Sequence, residues 1–113
     1  MPPNRSETLT PLSAAILFAL ADGASHGYAI IKEIEELTDG EMSPHTGSMY
    51  LALHRLLEDG LIAAESPAKG EDARRRYYKL SDAGREAARL EARRLAQLVK
   101  VASAKRLIPR SAL

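Results

Sequence analysis

The chain has no cysteine and no tryptophan. The first absence excludes disulfides, cysteine-based zinc sites and a thiol redox switch, and it suits a reducing cytoplasm, the expected location. Aromatic residues are only 4% of the 113 residues, with Phe18 the single phenylalanine, while leucine and alanine are abundant. That balance favours helices over a sandwich or barrel. No apolar run approaches the ~18 residues that span a bilayer, and the first eight residues lack a basic start followed by an apolar stretch. Neither membrane insertion nor secretion is expected.

Catalytic patterns are equally scarce. His26, His45 and His54 are the only histidines, none has the helical spacing of a zinc site with a following ligand, and no glycine-rich phosphate loop occurs. The hydroxyls around His45 are explained more economically as caps and turns than as nucleophiles. An enzyme, a metal and a cofactor are therefore not expected.

A strong net charge is missing too, at +1, but its distribution is uneven. Met1 to Ala68 carries 3 basic and 10 acidic residues, whereas Lys69 to Leu113 carries 13 basic and 5 acidic ones. The second half therefore supplies a positive field, a hint of a nucleic-acid partner that a basic solvated helix would also produce.

One domain fits this length. Residues 1–8 read as a flexible lead-in. Thr10 caps a first helix over Pro11 to Ala21, with Leu12, Ala15, Ile16, Ala19 and Leu20 at helical spacing. Ser25 or His26 opens a second helix with Tyr28, Ile31, Ile34 and Leu37 on its apolar side. Ser43 and Pro44 start a third, in which Met49, Leu53, Leu56 and Leu57 hold core spacing up to Asp59-Gly60. A short link between these last two helices is what a helix-turn-helix requires.

Leu61 to Glu65 reads as a strand, Ser66 to Ala73 as a turn, and Arg74 to Leu80 as a returning strand. With Tyr78 and Leu80 inward, Arg75, Tyr77 and Lys79 face outward. Ser81 then caps a long helix to Lys105 whose Ala87, Leu90, Leu95, Leu98 and Ala102 exceed what so small a core can cover. The pattern predicts a mainly α fold with a small β-hairpin: a winged helix-turn-helix over residues 9–81, a C-terminal dimerisation helix over 82–106 and a tail over 107–113.

Duplex DNA is the partner this architecture suits. His45, Thr46, Gly47, Ser48, Tyr50 and Arg55 are the candidate recognition-helix residues, with Tyr50 and Met49 weighted toward packing. Lys69, Arg74, Arg75, Arg76, Tyr77 and Lys79 are the candidate wing contacts to backbone. Leu12, Ile16, Leu90, Leu95, Leu98 and Ala102 are the candidate dimer surface. Two rival readings are a winged helix that docks a protein and a small-molecule sensor for which DNA is secondary.

Specific pieces carry a resemblance: Leu9-Thr10-Pro11-Leu12, His26-Gly27-Tyr28-Ala29-Ile30, Gly47-Ser48-Met49-Tyr50, Gly60-Leu61-Ile62, and Arg75-Arg76-Tyr77-Tyr78-Lys79-Leu80 before Asp82-Ala83-Gly84. In combination they resemble the PadR-like family of bacterial winged-helix transcriptional regulators. The resemblance implies a homodimer joined through the last and first helices, a repressor on a roughly palindromic operator, and, as in some members, release by a small-molecule effector.

Overall fold

The computed structural model describes residues 9–112, so the expected lead-in over 1–8 and Leu113 lie outside the described residues. Helix α1 spans Pro11–Ala19 and tightens into a 3-10 turn at Leu20–Asp22. Thr10 caps it, its hydroxyl oxygen accepting the Ser13 N–H at 3.1 Å, and Pro11 occupies the first position, where no N–H is needed. Strand β1 is only Ser25–His26, followed at once by α2 over Gly27–Leu37 and α3 over Thr46–Glu58.

Strands β2 (Ile62–Glu65) and β3 (Tyr77–Leu80) form the expected hairpin, and β1 adds to the free side of β3, giving an antiparallel sheet of order β1-β3-β2. Helix α4 then runs Asp82–Ala104. Its cap, Ser81, accepts the Gly84 N–H at 3.0 Å and donates its own hydroxyl to the Gly60 carbonyl at 2.6 Å, tying the helix start to the end of α3. The architecture is a winged helix-turn-helix with a long C-terminal helix.

One core unites these elements. Ile16, Leu17 and Leu20 meet Ile30 and Ile34 of α2, Met49, Leu53 and Leu56 of α3, and Ile62, Tyr78 and Ala88 from the sheet and α4. Three expectations need correction. Ile16 is fully buried inside its own protomer, so it presents no surface to a partner. Tyr28 and Leu37 are exposed because the buried face of α2 is centred on Gly27, Ile30 and Ile34, one position round from the expected stripe. Tyr77 is buried beside Tyr78 although the two point to opposite faces of β3, because the His26 ring of the neighbouring β1 packs edge-on against it.

Smaller shifts have local causes. Ser25 and His26 pair with Tyr78 and Tyr77, and His26 also caps α2 as expected. The cap of α3 moves from Ser43 to His45, and Ser43 instead donates its hydroxyl to Glu35 at 2.6 Å. Regular pairing on β3 begins at Tyr77 rather than Arg74, because Asp72 draws the preceding residues into a turn.

Candidate nucleic-acid interface

Helix α3 buries Met49, Leu53 and Leu56, which turns Gly47, Ser48, Leu51, His54 and Arg55 outward. Its start is also open: His45 and Thr46 are exposed, and the His45 side chain makes no capping bond, so the first N–H groups of the helix face solvent. Such a terminus favours an anion. Leu51, 68% exposed, and His54 extend the face beyond the residues expected from sequence. The signal was present, since Leu51 follows Gly47 by four residues and His54 follows it by seven.

The wing loop is shaped by its two carboxylates. Glu71 accepts the Ala68 N–H at 2.6 Å, and Asp72 accepts the Arg74 N–H at 2.9 Å and its guanidinium at 3.2 Å. Asp72 also lies 3.7 Å from the Arg75 Nε. These bonds, those from the Arg74 side chain and backbone foremost, hold the Asp72 carboxyl below the usual carboxylate range. Lys69, Arg74, Arg75, Arg76 and Lys79 are all exposed, five cations against two loop carboxylates. Lys79 meets Glu65 across the hairpin at 3.3 Å. Arg74 is 91% exposed as a side chain, so its pairing to Asp72 is a surface contact that a phosphate can replace.

Tyr78, at the root of the wing, packs in the core with Met49, Leu53 and Leu56 of α3. Burial pushes its phenol up, with the Arg76 charge opposing. Tyr50 of α3 lies over Gly27, where an added Cβ would stand 3.1 Å from its hydroxyl, so a side chain at this crossing of α2 and α3 would make the tyrosine shift by a few tenths of an ångström. Tyr50 is thus half-exposed, packed on one side and open on the other.

His26, absent from the expected site, sits at the same junction. Its Nδ1 accepts the Ala29 N–H at 3.2 Å, capping α2, and lies 3.1 Å from the Arg75 Nη1. Burial, then the Arg75 charge, lowers its pKa below 6.5, with Glu71 and Asp72 opposing. The folded state therefore favours the neutral ring. Its stabilising contribution is complete above pH 6.5 and is lost as pH falls through the lowered folded pKa. Between pH 7.5 and 5 the wild-type melting temperature is expected to drop more than that of His26→Asn, whose amide keeps the cap without titrating; parallel curves would refute this.

Along α4, Gly84, Ala88 and Glu91 are buried, and the same face continues through Leu95, Leu98 and Ala102, where both leucines are exposed. Leu90, also exposed, lies off this stripe, and Leu12 of α1 is partly covered against the core. Among the described residues, no helix is long and apolar enough to cross a membrane.

These features match known proteins. The YqjI transcriptional regulator of Escherichia coli is 40% identical over 60 residues, covering 53% of this chain and 29% of its own length. The chain spans less than a third of the curated relatives it matches, 22% and 29% for two of them. A PadR family transcription regulator from Clostridium difficile superposes with a TM-score of 0.73 at 26% identity, covering 84% of this chain and 97% of that one. Bacillus subtilis PadR, solved in complex with operator DNA, superposes with a TM-score of 0.61 at 26% identity, covering 73% of this chain and 46% of that one. Residues 16–90 match the profile described as the transcriptional regulator PadR-like family. With two-thirds of its length inside that match and the same winged-helix fold, the chain belongs to the PadR-like family of transcriptional regulators.

Proposed function

We propose that this protein is a cytoplasmic, homodimeric, sequence-specific DNA-binding repressor, in which α3 reads the major groove and the wing grips backbone. The observation that carries the reading is the open, polar start of α3 together with an exposed Arg-rich wing whose root, Tyr78, packs in the same core as Met49, Leu53 and Leu56 of α3. Gly47 and Ser48 let the helix start approach the duplex, His45, Thr46 and Arg55 offer donors to base edges or phosphates, and Leu51 adds an apolar group suited to a thymine methyl. Lys69, Arg74, Arg75 and Arg76 bind phosphate; Lys79 and the outer edge of Tyr50 flank them. Bacillus subtilis PadR in complex with operator DNA supports the docking by likeness of fold.

Two copies joined through the apolar stripe of α4, with Leu12 beside it, place two recognition helices on half-sites about one helical turn, ~34 Å, apart. Occupancy of such an operator acts most simply by blocking transcription. An effector site, in this reading, forms between the two copies.

The test is binding of the purified protein to a duplex from upstream of its own gene and to a scrambled duplex, each at two salt concentrations. Preferential, salt-weakened binding is expected. Arg75→Ala should weaken both duplexes alike and lower the salt slope by about 0.9 for each phosphate that the wing no longer neutralises. His45→Ala or Arg55→Ala should erode discrimination, by about 1–3 kcal/mol where a bidentate bond to a base is removed. Equal affinity for both duplexes in the wild type would overturn sequence-specific recognition.

A further inference from the structure

The histidine of the His26-Gly27-Tyr28 segment lies between the wing and the helix that supports recognition, and neither fold nor charge alone requires it there. Its Nδ1 faces two groups that can only donate, the Ala29 N–H at 3.2 Å and the Arg75 guanidinium at 3.1 Å. Nδ1 must therefore be unprotonated, which leaves the ring neutral with its hydrogen on Nε2. The ring is fixed as well, edge-on to Tyr77 with centroids 5.4 Å apart, and its backbone pairs with Tyr77 across the sheet.

Arg75 is restrained from three sides. Asp72 lies 3.7 Å from its Nε, His26 Nδ1 is 3.1 Å from its Nη1, and its guanidinium stands 5.7 Å from the centre of the exposed Tyr28 ring. Lys32 also approaches Tyr28, its Nζ 5.4 Å from the ring centre. A side chain of this length normally loses rotamer freedom when it meets a phosphate. Here much of that ordering is already present in the unbound protein.

We infer that His26 is a positioning residue for DNA binding: as a neutral acceptor it holds Arg75 of the wing against the start of α2, so that the cation is pre-set for a phosphate. The inference rests on the DNA-binding reading above and adds to it the residue that orients the wing. The groups facing the ring are Glu71, Asp72, Arg75 and Tyr77 from the wing and β3, and Tyr28 from α2; Lys32, Glu33 and Glu36 line the farther part of the same groove. Protonation at Nδ1 would remove the acceptor for both donors and set a positive ring against Arg75. The hold on the wing is therefore a property of the neutral form.

His26→Asn separates this role from capping, since an asparagine oxygen accepts the N–H three residues on but is too short to replace the imidazole at Arg75. Binding of a mixed-sequence duplex at fixed salt and pH 7.5 would be measured for the wild type, His26→Asn, Arg75→Ala and the double variant. Loosening one side chain costs about two- to twelvefold in affinity per wing. His26→Asn is expected to show that loss in the wild-type background and none in the Arg75→Ala background. A second readout needs no DNA: the NMR titration of His26 should move upward in Arg75→Ala, because a neighbouring cation is removed.

An unmoved titration shows that the contact is absent and overturns the inference whatever the binding data say. A shifted titration with additive losses in the double variant overturns positioning. A wild type that binds no duplex overturns the DNA-binding reading itself, and the inference with it.

Discussion

Glutamate at both Leu95 and Leu98 is expected to turn a dimer into monomers and to remove DNA binding at concentrations that saturate the wild type. Helix α4 has 23 residues, ~34 Å of helix, and only its first half is packed on the core. Leu95 and Leu98 continue the buried face beyond Glu91 yet are 36% and 52% exposed. Full burial of a leucine contributes about 1.5–3 kcal/mol, and roughly half of that is still available here, so four leucines across two copies offer ~3–6 kcal/mol. That corresponds to about 10²- to 10⁴-fold in the dimer dissociation constant, before any repulsion between the new carboxylates.

Loss of the second half-site then removes avidity of similar size. Sedimentation of the double variant should give the protomer mass, whereas Gln97→Glu, exposed and off the stripe, should leave the assembly as it is. A double variant that sediments like the wild type would refute an α4 interface. Glu91 adds a detail to this face. It is 7% exposed yet ionised, because Arg94 three residues on meets it at 2.6 Å and holds its carboxyl below the usual range. The pair is local to one helix and consumes no partner.

The other large effect is structural. Gly84→Ala is expected to lower the melting temperature by more than ~10 °C. A Cβ at Gly84 would overlap the Leu61 carbonyl oxygen, and backbone cannot turn aside as a flexible side chain would. That same carbonyl accepts the Ser81 N–H at 3.1 Å, so moving α4 away breaks the link that joins helix to sheet. Overpacking of this kind costs ~3 kcal/mol or more, at about 4–8 °C per kcal/mol in a domain near this size. Gly47→Ala is the control, since nothing lies within 4 Å of its added Cβ and helix propensity improves. Thermal melts of equal midpoint for Gly84→Ala and the wild type would show that the packing of α4 on Leu61 is looser than described.

The order and kind of the main elements were legible because each is announced locally. Thr10-Pro11 marks a helix start, Asp59-Gly60 an end, and Met49, Leu53 and Leu56 keep one period through α3. The wing was legible from its turn residues and tyrosines. The two-residue strand β1 was not, because Ser25-His26 has no pattern of its own and becomes a strand only when β3 lies beside it. For the same reason His26 reads as a helix opener in sequence, while its place beside Arg75, 49 positions away, depends on that pairing.

Burial divides along the same line. The periodicity of α1 marks Ile16 as apolar and one-sided, and it cannot say whether that side meets the protomer's own core or a second copy. Alternation on β3 places Tyr77 outward, and it is the pairing with β1 that sets the His26 ring against it. Sequence alone therefore determined the winged-helix class, the basic wing and the surplus apolar stripe of α4, since propensity, capping and charge act within a few residues. The tertiary structure decided which apolar residues remain for a partner, why Gly84 must be glycine, and how His26 reaches the wing. Those depend on contacts between segments far apart in the chain, which no local period encodes.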